Sequence, residues 1–414
     1  MTNMRKQPTV LGGTMIIAGT CIGAGMLALP ITSAGMWFHW SVVVLFATWI
    51  LMLLSSQALL EVNLHYEVGA SFHTMVQDTL GPVWNVINGL SLAFVLYILV
   101  YAYVSGGGSI VQHMSRALVG VEPPRLIAGL VFAVVLTGCV WLSTWIVDRL
   151  SLIMMGGMVI SYILSMTGLL SEVKAGVLLD LQDMGMLGGY SLFIWGALST
   201  YLTSLCFHAS VPSLVKYFGK QPTSINKCLL RGTLIALLCY LTWIVVIDST
   251  ITRQEFQGVI AAGGNVGDLI SAAGSNINSG CILRMLEAFS SLAIATSFLG
   301  AGLGLFDYIS DLFGFDDSRT GRTKTALVTF FPPIVGGLVW PDGFRSAIAW
   351  AGLAATIWSV IVPALMLRAS RRKFSSSSFR APGGSWTIPV LVIYGVLTAV
   401  CHICVTFGVL PEYQ

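Results

Sequence analysis

Residues 19–26 read GTCIGAGM, and they interrupt a run without a formal charge that extends from residue 7 to residue 60. One crossing of a bilayer needs about 20 apolar residues, so two helices fit in that run. Gly19, Thr20, Cys21, Gly23, Ala24 and Gly25 are six small side chains within residues 19–25. Such a stretch has weak helical propensity and no bulky group to shield its backbone. Small residues four apart ordinarily let a neighbouring helix approach closely, which is the packing explanation for Gly19 with Gly23 and for Gly300 with Gly304. It is insufficient for six small residues together. Non-helical backbone persists inside a membrane only where it is buried in protein or lines a polar cavity, so the break suggests a binding site.

A second interruption lies in the corresponding place of the other half. Residues 204–213 read SLCFHASVPS, where His208, Ser210, Pro212 and Ser213 break an apolar run. Pro212 cannot donate a backbone hydrogen bond, and it disfavours helix at Val211. Paired interrupted helices are the signature of a secondary transporter built from inverted repeats.

The rest of the chain fits that reading. Of its 414 residues 56% are hydrophobic and 9% charged, against about 25% charged for a soluble domain. Further uncharged windows run over 79–115, 126–147, 150–171, 184–215, 232–247, 288–306, 325–341, 346–367 and 381–411. With the two helices of the first window they predict eleven transmembrane helices: two five-helix repeats over 1–172 and 184–370, then an eleventh helix over 385–409. Continuous apolarity excludes an alternating β-barrel. Arg5 and Lys6 precede the first run as they would in a signal peptide, but the run is too long and lacks a clear cleavage site.

With the N-terminus in the cytoplasm, 15 of the 21 Lys and Arg fall on that side and the C-terminus emerges in the periplasm. The net charge of +3 therefore reports topology and not a nucleic-acid partner. The eight cysteines fall in or beside spans and read as buried thiols, including Cys401 and Cys404 of the CHIC segment. The polar interval 248–283 predicts an outer hairpin of short helices, and the basic, serine-rich segment 370–384 a cytoplasmic loop.

Neither GTCIGAGM nor GAGLG (300–304) matches GxGxxG or a P-loop, so an ion gradient and not ATP is the expected energy source. No metal or other cofactor is expected. The six histidines are scattered over several segments, unlike a catalytic set, and no span carries the regular polar lining of a channel.

The chain resembles the bacterial aromatic amino acid permeases of the amino acid/polyamine/organocation superfamily, most nearly their tryptophan-specific members. The stretches that carry the resemblance are GTCIGAGMLALP (19–30), NLHYEVGASF (63–72), WNVINGLSLAFVLYILVYAYVS (84–105), SFLGAGLGLFDYISDLFGFDD (297–317), FPPIVGG (331–337), WAGLAATIW (350–358) and VLPEYQ (409–414). The resemblance implies an all-α, leucine-transporter-like fold with 5+5 inverted repeats, an extra helix and broken helices one and six. It also implies proton-coupled import of an aromatic amino acid across the inner membrane, with tryptophan first. Tyrosine, a broad aromatic range, or serine and threonine remain as alternatives. Members usually read F-G-x-H-G-[NS]-V-P-S in span six, whereas Cys206 and Ala209 here replace the glycines, and Ser210 stands where tryptophan permeases tend to have Asn.

An amino acid brings a carboxylate, an ammonium and a side chain. Helix N-termini offer N–H groups and C-termini offer carbonyls. The carboxylate is therefore assigned to Gly23, Ala24 and Gly25 with the Thr20 hydroxyl, and the ammonium to carbonyls around 19–21 and 204–208. Tyr97 and Tyr101, on one helix face, and Phe207 are candidates for the aromatic slot, although core packing explains such residues too. His208 is the candidate proton carrier, with Glu61 and Glu287 as further possibilities. Asp307 and Asp311 are candidates for gating or capping. Ser210 belongs to the pocket-shaping segment, and Thr296 and Ser297 read as substrate-side hydroxyls or helix glue. The expected partners are the substrate, protons and membrane lipids.

Overall fold

The computed structural model describes residues 8–180, 187–374 and 376–413. Arg5 and Lys6 of the charge count, the start of the second repeat at 184 and the terminal Gln414 lie outside them. The described residues are helical, with no strand among them. Among the described residues eight helices are long and apolar enough to cross a membrane: Trp37–Asn63, Pro82–Arg116, Arg125–Leu142, Thr144–Leu170, Pro222–Thr250, Gly280–Phe313, Phe344–Lys373 and Gly384–Thr406. The pair Val10–Cys21 and Ala24–Ser33, bent by 45°, makes a ninth if it is one span. The other two expected segments do not meet both criteria, the first because its pieces are short and the second, although 21 residues long, because it is less apolar. One is split into Ile194–Ser204 and Ser210–Phe218, and the other is Arg319–Val339, with Pro332 and Pro333 inside it. Numbering these segments in chain order, the bent pair is span one and the split pair span six.

The two interrupted spans sit in the middle of the bundle because glycine lets their neighbours press against them. A Cβ at Gly232 of span seven would lie 2.5 Å from Cβ of Ile17 in span one. One at Gly352 of span ten would lie 2.0 Å from the Ser199 carbonyl oxygen in span six. Gly300 and Gly304 behave differently, since an added Cβ would meet nothing within 4 Å at either. Close helix packing is therefore not their role.

Span ten carries a π turn over Ile357–Ile361. Pro363, in the next turn, has no N–H to offer the carbonyl four residues back. The Ser55 hydroxyl donates to that Ser359 carbonyl instead, at 2.5 Å. Such turns often occur at functional sites.

Both ends of the bundle are tied. The polar interval forms two short helices, Arg253–Ala261 and Val266–Asn276, each opened by a capping box. At that end Arg125 pairs with Asp342 and, at 2.8 Å, with Asp268. At the basic end, Glu61 is 1% exposed and accepts two hydrogen bonds from Arg371, at 2.7 and 2.8 Å, and one from the Ala381 N–H. Lys373 donates to Asp78 at 2.7 Å. Lys373, and after it Tyr66, holds the Asp78 carboxyl below the ordinary carboxylate range. The end of span ten is thus fastened to span two and the helix Phe72–Leu80, and the segment beyond it to span two.

Candidate functional site

The first half of span one ends at Cys21, Ile22 and Gly23 are extended, and helix resumes at Ala24. In span six the chain leaves the helix after Ser204. It turns through Cys206 N–H to Thr203 and Ser210 N–H to Phe207, at 3.1 and 2.9 Å, and re-enters helix at Ser210. Pro212 falls in the first turn of the resumed helix, where its missing N–H costs no bond.

Side chains lock the two breaks together. The Thr20 and Ser210 hydroxyls are 3.0 Å apart. The Ser204 hydroxyl lies 2.8 Å from the Gly25 carbonyl oxygen. Tyr240 of span seven, fully buried, brings its hydroxyl within 2.6 Å of the Cys21 carbonyl oxygen and 2.5 Å of that of Ser204. These carbonyls belong to the last helical residue before each break. From span eight, the Ser297 hydroxyl accepts the Ala24 N–H at 3.0 Å. Gly23 must stay small there, because a Cβ would lie 2.6 Å from Ser297 Oγ.

A cavity of about 470 Å³ opens at this junction. Its polar wall is formed by residues 19–25 with Thr203, Ser204, Thr296 and Ser297, and its apolar wall by Leu92, Val95, Leu96, Leu99, Tyr103, Met155, Met158 and Trp358. Gly19, Leu92, Ser151 and Gly300 carry the cavity from the break toward the basic end. At the opposite end of the bundle the Arg125, Asp268 and Asp342 cluster ties neighbouring segments together.

The structure gathers Thr20, Gly23, Ala24, Gly25, Thr296 and Ser297 around this cavity. It separates others from it. Tyr97 and Tyr101 face a shallow apolar groove beside Pro332, Pro333 and Trp340, and their hydroxyls donate to the Val328 and Trp340 carbonyls, each at 3.0 Å. The aromatic wall is made by Tyr103 and Trp358 instead. Phe207 is buried with its ring against His208, and Ser210 is engaged with Thr20. His208 is completely buried, with its ring edge-on to Trp358 at 6.3 Å and no hydrogen-bond partner on either nitrogen. Glu61 is taken up by its pair with Arg371. Glu287 lines a different cavity of about 440 Å³, beside His113 and Arg116. Asp307 and Asp311 are absent from the central cavity wall. No group of three or more His, Cys, Asp or Glu suited to a metal ion occurs among the described residues, and His402 of the CHIC segment lies 3.2 Å from the Ser199 hydroxyl.

Tyr240, Tyr103 and Trp358 were not singled out by the sequence reading, which had included Ser204 only within the carbonyl stretch 204–208. For Tyr103 a signal existed: Leu92, Val95, Leu96, Leu99 and Tyr103 recur at helical spacing. For Trp358 the signal was Pro363 in the following turn.

Comparison with known proteins agrees with a transport site. The tryptophan/tyrosine permease family model matches residues 6–402. The chain is 50% identical over 409 residues to the tryptophan-specific transport protein of Pseudomonas aeruginosa, covering 99% of this chain and 98% of that one. It is 47% identical over 414 residues to the protein of the same name from Shigella flexneri, covering 100% and 99%. In structure it is similar to the manganese transporter of Eremococcus coleocola, as its H236A mutant, with a TM-score of 0.57, 12% identity and coverage of 97% of this chain and 88% of that one. At that identity the likeness speaks to the fold alone. The chain belongs to the tryptophan/tyrosine permease family, and is an aromatic amino acid transporter of the membrane and not an enzyme.

Proposed function

We propose that this permease imports tryptophan by symport with protons across the bacterial inner membrane, with the N-terminus in the cytoplasm and the C-terminus in the periplasm. The observation that carries the substrate reading is the cavity at the paired breaks, which joins exposed backbone to a wall containing Trp358 and Tyr103. Its volume is within the range of small-molecule sites. The tryptophan-specific names of the two relatives favour tryptophan over tyrosine.

In this reading the carboxylate accepts a hydrogen bond from the Ser297 hydroxyl, which the Ala24 N–H holds in place, helped by Thr20 and the positive end of the resumed helix. The ammonium meets carbonyls at the ends of the first half-helices, and the indole lies against Trp358 and Tyr103. Ser210 bonds to Thr20 of the cavity wall and does not itself line the cavity.

Among the three proton candidates, His208 is the one at the break, and its two nitrogens have no partner. We assign the proton to it, Trp358 standing between the imidazole and the substrate. One proton moved with a zwitterion carries one net charge, worth about 2.3 kcal/mol per 100 mV. The cavity reaches toward the basic end while the other end is tied, which supports an inward-facing state of an eleven-span, two-repeat carrier (1–172, 184–370 and 385–409).

The test is binding of labelled tryptophan to purified protein, with tyrosine, phenylalanine and serine as competitors. Displacement mainly by unlabelled tryptophan is expected. Stronger displacement by serine would overturn the aromatic assignment.

A further inference from the structure

Tyr240 reaches the site from span seven, outside both interrupted helices, and its hydroxyl touches the terminal carbonyl of each: Cys21 at 2.6 Å and Ser204 at 2.5 Å. A phenol has one proton to donate. One donor therefore serves two acceptors, and both acceptors are carbonyls without an onward helical partner, which a helix end exposes. Each carbonyl oxygen has two lone pairs, so contact with the phenol leaves acceptor capacity on both. Cys21 and Ser204 line the cavity, and the phenol, with no exposed surface, is held behind them.

The fixed separation of the two oxygens comes from this clasp. Without it, the negative ends of two half-helices would face each other across a gap. A primary ammonium has three donors and suits such a seat. Building on the proposed amino acid substrate, we propose that Tyr240 is a positioning residue that sets the two carbonyls at the spacing that receives the substrate ammonium. The residue recognises the amino group through the backbone and has no part in recognising the carboxylate or the ring.

The test compares ligands that lack one end of the amino acid. Tryptophan, indole-3-propionate, which lacks the amino group, and tryptamine, which lacks the carboxylate, compete for labelled tryptophan on wild-type protein and on Tyr240→Phe. Wild type is expected to prefer tryptophan strongly over both analogues. In Tyr240→Phe the preference over indole-3-propionate is expected to fall roughly tenfold, the scale of one hydrogen bond to a charged group. The preference over tryptamine is expected to stay within about twofold. A uniform loss against both analogues would make Tyr240 merely structural and overturn the inference.

Should Tyr240→Phe fail to accumulate, 3-fluorotyrosine placed at 240 keeps the hydroxyl and reports by its fluorine resonance. A shift with tryptophan and tryptamine but none with indole-3-propionate is expected, and a resonance that ignores the amino group overturns the inference. Failure of the substrate reading is separate, because wild-type protein would then show no preference for tryptophan at all.

Discussion

Replacing Gly23 by alanine places a methyl group 2.6 Å from Ser297 Oγ, well inside contact distance. The backbone at Gly23 is extended, a conformation open to any residue, so the cost lies in that contact. Ser297 Oγ ends a short side chain and can turn away, but turning breaks its bond from the Ala24 N–H. Turning leaves the buried Ala24 N–H unpaired, at a cost of about 1–3 kcal/mol. That corresponds to roughly a tenfold rise, or more, in KM for tryptophan uptake.

Removing the hydroxyl tests whether this route is the right one. In Ser297→Ala the nearest remaining atom of residue 297 is Cβ, at 4.0 Å, an ordinary contact. Gly23→Ala added to Ser297→Ala is therefore expected to change KM by less than about twofold, a strongly non-additive cycle. The assay is initial-rate uptake of labelled tryptophan at matched surface abundance, with thermal stability of the purified variants as the folding control. Gly23→Leu, which extends further past the same hydroxyl, is expected to abolish uptake while membrane insertion persists. Full additivity, or Gly23→Ala transport equal to wild type, would refute the steric argument.

Other expectations follow from the same geometry. His208→Gln is expected to leave exchange of labelled for unlabelled tryptophan but to remove the acceleration of uptake by an imposed proton gradient, as measured in proteoliposomes. Trp358→Ala removes an aromatic cavity wall and is expected to raise KM for tryptophan at least tenfold while binding of smaller amino acids falls less, as competition assays would show. Glu61→Gln breaks a buried pair with Arg371; such losses cost about 3–5 kcal/mol, so a lower melting temperature is expected with proton coupling intact. Asp78 has a depressed carboxyl pKa in the folded protein. Its contribution is therefore present above the unfolded value of about 3.9 and is lost as pH falls through the folded value. Asp78→Asn is expected to flatten that acid limb of a thermal-stability profile.

The breaks were legible because they are local chemistry. Glycine-rich backbone at 19–25 and Pro212 weaken helix wherever they stand, and the absence of charge places them at mid-membrane. The cavity walls required the third dimension. Tyr97 and Tyr101 share a helix face, but the sequence does not say which face looks inward. Tyr103, two residues beyond Tyr101, is about 200° round the helix and looks into the cavity. Glu61 suggested a proton site in isolation, and its partner Arg371 lies 310 residues away. Tyr240 carried no signal in its own segment, since its importance comes from where span seven meets two helix ends. His208 was identified as adjacent to the break, yet the turn of span six sets its ring against Trp358 and outside the cavity lining.

The most direct test of the central claim is uptake of labelled tryptophan by cells expressing the protein, with and without a protonophore, against tyrosine, phenylalanine and serine as competitors. The account predicts accumulation that collapses with the proton gradient and is displaced best by tryptophan. Uptake that survives the protonophore and requires sodium, or that serine displaces best, would contradict it.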